Sequence, residues 1–225
     1  ELCTPEAGRV GVVGRGARRP RRGGGVLEPF VALRCTLRGR GELRTLAGHE
    51  VLRRAGLAGD ALYAGFYLNE LLMRLLQRED PHERVFEEYE GALAILGDLP
   101  PARGALALEP VLRRFEFVLL DELGYGLPLE ADLDGVPVDP ARVYEVIPDA
   151  GVLPAEDAVA DGDAVPQAHP RLTGAELLAV AAGRLDSPGV LRAAKRLARA
   201  ALAPHLGPRP LVSRALFARG RAGRS

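Results

Sequence analysis

The chain has 225 residues, 47% hydrophobic and 27% charged, a balance that excludes a disordered polymer and suffices for one large core or two smaller ones. Its 30 basic and 30 acidic side chains cancel in sum but not in place: residues 1–60 carry 12 basic and 6 acidic groups, residues 101–170 carry 4 and 14, and residues 171–225 carry 11 and 2. No apolar stretch reaches the roughly 18 residues of a membrane span. The two cysteines, Cys3 and Cys35, are too few for a disulfide framework or a thiolate metal site, so a cytoplasmic protein with free thiols is expected.

Leu2 to Val13 reads as strand, turn and strand around Pro5-Glu6-Ala7-Gly8, a pattern that is already under way at Glu1. Residues 26–38 make a longer strand, with Phe30, Ala32, Arg34 and Thr36 on one side and Val31, Leu33, Cys35 and Leu37 on the other. Gly39-Arg40-Gly41 turns the chain, and Glu42 to Leu46 can return as a strand. Short strands with glycine turns over the first 55 residues predict a small, curved antiparallel barrel.

Beyond Gly56 the apolar period lengthens to that of a helix, with Leu62, Phe66, Asn69, Leu72 and Leu76 in one row. Asp80-Pro81-His82-Glu83 has the form of a capping box, opening a second helix that buries Val85, Phe86, Tyr89, Leu93 and Leu96. A third starts near Pro110 and stops at Gly124. From Leu127 to Gln167 periodicity fades, which predicts a small irregular insertion. Thr173 with Glu176 forms another capping box, and Ser187-Pro188 opens a last long helix ending at Gly207-Pro208. The expected class is α+β, with a barrel over residues 1–55 and a helical body over 56–225 that contains the insertion 127–167.

The charge-bearing sites fall at the two ends. Arg15, Arg18, Arg19, Arg21 and Arg22 crowd one glycine-rich loop, where guanidinium forks can follow a phosphate backbone; the alternative is a solvated surface loop. Arg34 lies on the strand that follows. In the last long helix Arg192, Lys195, Arg196 and Arg199 recur at i, i+3, i+4 and i+7, a stripe whose mutual repulsion an anionic partner would relieve, or which the chain's own acidic middle would neutralise. Arg209, Arg214 and Arg219 extend it.

Enzyme signatures are weak. Gly11, Gly14 and Gly16 have the wrong spacing for a dinucleotide loop, the only lysine is Lys195, and no histidine stands near a nucleophile in a known motif. Asp132-Leu133-Asp134-Gly135 lacks the glycine and glutamate of a calcium loop. No catalytic residue, metal or cofactor is expected.

Several short stretches, in order along nearly the whole chain, resemble the bacterial RecO family of DNA repair and recombination mediators. They are Pro5-Glu6-Ala7-Gly8, Gly16-Ala17-Arg18-Arg19-Pro20, Leu27-Glu28-Pro29-Phe30 and Gly41-Glu42-Leu43-Arg44-Thr45-Leu46. They continue with Tyr67-Leu68-Asn69-Glu70-Leu71-Leu72, Asp80-Pro81-His82-Glu83, Leu112-Arg113-Arg114-Phe115-Glu116, Leu123-Gly124-Tyr125 and Ser213-Arg214. The resemblance implies an N-terminal OB-fold barrel whose first strand lies upstream of Glu1, a helical body, and a small insertion that is zinc-binding in some members. It also implies a nucleoid-associated protein that binds single- and double-stranded DNA, anneals complementary strands, and works with RecR and with single-stranded DNA-binding protein to load RecA.

Carried over residue by residue, Arg18 and Arg19 match the family's basic motif, while Asn69 and Glu70 match a helix signature and would organise packing between barrel and body. The family's first CxxC would fall near Ala131 and Asp134, with no later cysteine pair, so this insertion is expected to hold without zinc. For the acidic, apolar-ended tail of single-stranded DNA-binding protein, two docks stand out: Arg113 and Arg114 beside Phe115, or the stripe from Arg192 to Arg199. The competing functional reading is a non-enzymatic interaction scaffold without direct DNA contact.

Overall fold

The computed structural model describes residues 1–14, 27–100, 107–155 and 169–222, with side chains up to Phe217 in the last stretch; the arginine loop at residues 15–22 lies outside them. Contacts divide the chain into two compact units, residues 1–108 with 211–225, and residues 109–210.

The first unit opens with four strands: β1 (Leu2–Thr4), β2 (Gly8–Val13), β3 (Val31–Arg38) and β4 (Leu43–Arg54). They form one sheet in the order β1-β2-β4-β3. This corrects the expected barrel in two respects. β2 and β4 run parallel, with Gly11 opposite Leu43 and Val13 opposite Thr45, so the sheet is mixed rather than antiparallel. Nor does it close. Closure requires every strand to have two neighbours, whereas β1 and β3 each pair with one strand among the described residues and stand at opposite edges. An open groove of about 1010 Å³ is lined by Cys3, Val12, Leu33 and Leu37 of the sheet and by residues beyond it such as Tyr89.

Strand alternation on β3 is as read from sequence: Arg34, Thr36 and Arg38 are exposed, while Leu33, Cys35 and Leu37 are half-buried. β4 is longer than expected and runs on to Arg54, with irregularities in its pairing to β3 between Ala32 and Leu33 and between Thr36 and Leu37.

Helix α1 (Gly59–Leu75) packs Leu68, Leu71 and Leu72 into the core, and α2 (Glu83–Asp98) adds Val85, Leu93 and Leu96. The capping box expected at Asp80 is absent. The N-cap is His82, which makes no side-chain capping bond, while Asp80 instead approaches the His82 ring at 3.3 Å. The cause is tertiary: the Glu79 N–H donates to the Arg9 carbonyl of β2 at 3.0 Å, and Gly8 lies so close to the Asp80 carbonyl that a Cβ would sit 1.9 Å from its oxygen. Residues 78–80 are thereby held against the sheet, and Asp80 is drawn out of the capping position. A final helix, α6 (Val212–Ala222), returns to this unit and lies along α1.

The second unit begins with α3 (Glu109–Glu122). It ends as its glycine predicts: Gly124 takes a φ of +81° and the Tyr125 N–H reaches back to the Leu120 carbonyl at 2.8 Å. The stretch expected to be irregular contains β5 (Val143–Ile147) and β6 (Gly151–Pro154), which with β7 (Arg171–Thr173) form an antiparallel sheet in the order β6-β5-β7. Tyr144, Val146, Val152 and Leu172 from these strands are buried with Leu177 of α4 (Gly174–Ala181) and Leu197 of α5 (Pro188–Leu206), so this region has a core of its own. Both helix starts follow their sequence signals. Thr173 accepts from the Glu176 N–H at 3.2 Å while Glu176 accepts from the Thr173 N–H at 3.0 Å, and Ser187 accepts from the Val190 N–H at 3.3 Å.

Candidate nucleic-acid interface

Arg15, Arg18, Arg19, Arg21 and Arg22 lie outside the described residues; in the chain they fall between Val13, the last residue of β2, and Val31, the first of β3. Phe30, at the head of β3, has a φ of +62°, and its ring meets Phe66 edge-on at 5.1 Å between centroids. A Cβ at Gly65 would come within 2.9 Å of that ring, so α1 seats the phenylalanine closely and Phe30 serves packing rather than base stacking.

Most arginines on the sheet meet carboxylates. Arg34 pairs across the ladder with Glu50 at 2.9 Å, both side chains more than 60% exposed. Arg44 meets Glu79 at 2.7 Å and Arg53 meets Glu90 at 2.8 Å, while Arg54 pairs with Glu28 and Arg78 with Glu1. The bond from Arg78 holds the Glu1 carboxyl below its ordinary value. Such surface pairs contribute about 0–1 kcal/mol each, so they give way readily to a competing phosphate.

In the second unit, α5 turns Ala193, Ala194, Leu197, Ala198 and Ala201 inward. On the other side, Arg192 and Arg199 are exposed and Lys195 and Arg196 half-buried, so the four cations form the predicted stripe along one helix. The fold already engages part of it. The Lys195 ammonium meets the Glu109 carboxylate at 2.5 Å, the Nε of Arg196 is buried without a hydrogen bond, and Arg192, Arg196 and Arg199 have further partners.

The alternative dock separates on folding. Arg113 and Phe115 are buried, Arg113 in a 2.6 Å ion pair with Glu116 whose side chains are 5% and 1% exposed. Only Arg114 of the trio reaches the surface, so an acidic ligand on α3 would meet Arg114 beside the half-buried Phe117.

Nor do the described residues of the insertion fit a zinc ion. Ala131 offers no donor and bridges to Pro137, and the Asp132 carboxylate accepts the Asp134 and Val136 N–H groups at 3.0 and 2.8 Å. The turn that a metal would clamp is closed by an aspartate. The Tyr144 hydroxyl further accepts the Asp139 N–H at 2.8 Å. Among the described residues no group of three or more His, Cys, Asp or Glu could hold a metal.

Asn69 and Glu70, singled out by the helix signature, tie α1 to other helices of the first unit. Glu70 on α1 receives the Val212 and Ser213 N–H groups at 2.9 and 2.8 Å and the Ser213 hydroxyl at 2.6 Å, with Arg74 on its other side at 2.8 Å. It is a carboxylate cap on α6, supplied by another helix. Burial raises the Glu70 carboxyl, but these hydrogen bonds and the Arg74 charge outweigh it and hold the group below its ordinary value. Asn69 accepts the Tyr89 hydroxyl at 2.5 Å, tying α1 to α2.

Comparison with known proteins places this arrangement. The family model "Recombination protein O C terminal" matches residues 57–215. The DNA repair protein RecO of Stutzerimonas stutzeri strain A1501 is 49% identical over 219 residues, covering 96% of this chain and 85% of that protein. The chain belongs to the RecO family. The RecO proteins of Pseudomonas aeruginosa strain LESB58 and Pseudomonas putida strain GB-1 are each 47% identical, over 96% of this chain and 86% and 88% of theirs. Family membership makes the protein a recombination mediator and not an enzyme. None of the helices among the described residues is long and apolar enough to cross a membrane.

Proposed function

We propose that the protein binds single- and double-stranded DNA by its phosphates and anneals complementary strands. Guanidinium groups that neutralise two backbones lower their repulsion while leaving the base edges free to pair. The observation that carries this reading is the segregation of charge, with 12 basic groups in residues 1–60 and 11 in residues 171–225, four of the latter in one stripe on α5. In this reading the loop from Arg15 to Arg22 and Arg34 grip one backbone, and Arg192, Lys195, Arg196 and Arg199 serve a second strand or the acidic tail of single-stranded DNA-binding protein. With RecR as a further partner, the annealed or stripped strand is handed to RecA.

Replacing Arg18, Arg19, Arg21 and Arg22 by Ala tests the loop. Single-strand affinity falls and the log–log salt dependence flattens by about 0.7 per lost phosphate contact, with thermal unfolding unchanged. An unaltered slope removes the loop from the reading. For the tail, peptide affinity is measured after R192E and R196E; unchanged binding moves the dock elsewhere. A scaffold without DNA contact is favoured by one observation, the pairing of most sheet arginines with carboxylates. Titration of a labelled oligonucleotide decides, since a scaffold stays unbound even at low salt.

A further inference from the structure

We propose that the tip of the β3–β4 hairpin is a phosphate-binding site for a nucleic-acid strand, with Arg38 and Arg40 as its contacts and Arg34 as a third cation that Glu50 holds in reserve. The inference rests on the DNA-binding reading above and adds a surface to it.

Arg34, Arg44, Arg53 and Arg54 each meet a carboxylate. Arg38 and Arg40 are exposed and have no ion pair among the described residues. The nearest acid along the chain, Glu42, makes no ion pair with either. A free guanidinium pair at the end of a ribbon is a place where an anion gains attraction without displacing an internal partner.

The shape around them suits a backbone. Gly39 and Gly41 have φ values of +93° and +100°, a conformation that costs other residues energy. A Cβ at either would touch nothing within 4 Å, so Arg40 stands between two bare positions. Down the same face of β3, side chains recur about every 6.8 Å, placing Arg38, Thr36 and Arg34 in a row of donors. Thr36 faces Gly48 across the ladder, where a Cβ also meets nothing, so this stretch is low and open. Across the sheet, Arg38 lies opposite Thr45 and Thr45 opposite Val13, which is 46% exposed. Cation, hydroxyl and apolar side chain in one line complement a strand that presents phosphate and sugar side by side.

The occupant is an extended polyanion rather than a single phosphate, because the donors run along a strand and converge on no pocket. Arg34 is bound to Glu50 through largely exposed groups, and a phosphate arriving at Thr36 competes for it.

The test is fluorescence anisotropy of the full chain with a labelled single-stranded homopolymer at several salt concentrations. R38A/R40A is expected to lower affinity and to reduce the log–log salt slope by about 1.4, two contacts at about 0.7 each, with an unchanged melting curve. E50Q, which releases Arg34, is expected to bind more tightly than the parent. R142A/R184A, the same change of charge made on exposed arginines of the other unit, leaves the slope as it was. If the parent binds and R38A/R40A keeps the parental slope, or if R142A/R184A lowers it equally, the hairpin site is overturned while the DNA-binding reading stands. If the parent does not bind at low salt, both fall.

Discussion

The two units treat an arginine–glutamate pair in opposite ways. On the sheet, Arg34 and Glu50 meet at 2.9 Å with side chains 72% and 63% exposed; on α3, Arg113 and Glu116 meet at 2.6 Å with side chains 5% and 1% exposed. Water screens the first pair and barely reaches the second, so the Coulomb attraction and the desolvation cost are both far larger inside. The first is therefore a weak contact, open to the phosphate proposed above, and the second a fixed part of the helical unit. A family that works by transient contact with polyanions needs the former kind wherever DNA is to come and go.

Glu116→Gln breaks the buried side of the comparison and has the largest expected effect. It leaves the Arg113 guanidinium buried without its anion, and urea unfolding should show a loss of about 3–5 kcal/mol. R113M with E116L, which removes both charges, should recover most of it; failure to recover would mean that the pair does more than neutralise itself.

Smaller effects come from the helix caps. Thr173→Ala removes the hydroxyl of the capping box on α4 and should cost about 1 kcal/mol in chemical unfolding. Glu70→Gln weakens the seat of α6, again by about 1 kcal/mol, and changes the pH profile as well. The folded Glu70 carboxyl titrates below its ordinary value of 4.5. Its stabilisation is thus complete above that value and is lost as pH falls through the lower, folded value. Thermal melts of E70Q should lack that acid-side loss.

On the exposed side, Glu50→Ala should change stability by no more than about 0.5 kcal/mol, within the range of surface pairs. A larger loss in differential scanning calorimetry would show that the ladder pair is structural, and would weaken its role as an exchangeable phosphate contact.

Signals confined to a few neighbouring residues were legible before the structure. Thr173 and Glu176, Ser187 and Pro188, and Gly124 each act on backbone groups within one helical turn, and each does so here. The alternation of Arg34, Thr36 and Arg38 against Leu33, Cys35 and Leu37 was likewise visible, because a strand's period is imposed by its own pleat. Asp80 shows where such reading fails: its capping motif is intact in sequence, but the bond from Glu79 to β2 holds it elsewhere. The strands β5 to β7 were missed because they are three to five residues long, too short for a period to declare itself.

In the candidate site, the stripe on α5 could be read directly, since spacing of three and four residues is a property of any helix. The burial of Arg113 and Phe115 could not, because it depends on what packs over α3.

The sequence by itself determined the family, the segregation of its charges, the helix caps and the faces of β3 and α5, all consequences of chemistry between near neighbours. Only the tertiary structure decided that β2 pairs in parallel with β4 and leaves the sheet open, and that Glu70 caps a helix 142 residues away. It also decided which arginines are paired and which, like Arg38 and Arg40, are left to solvent. These depend on contacts between distant segments, whose loop-closure entropy and competing partners no local pattern encodes.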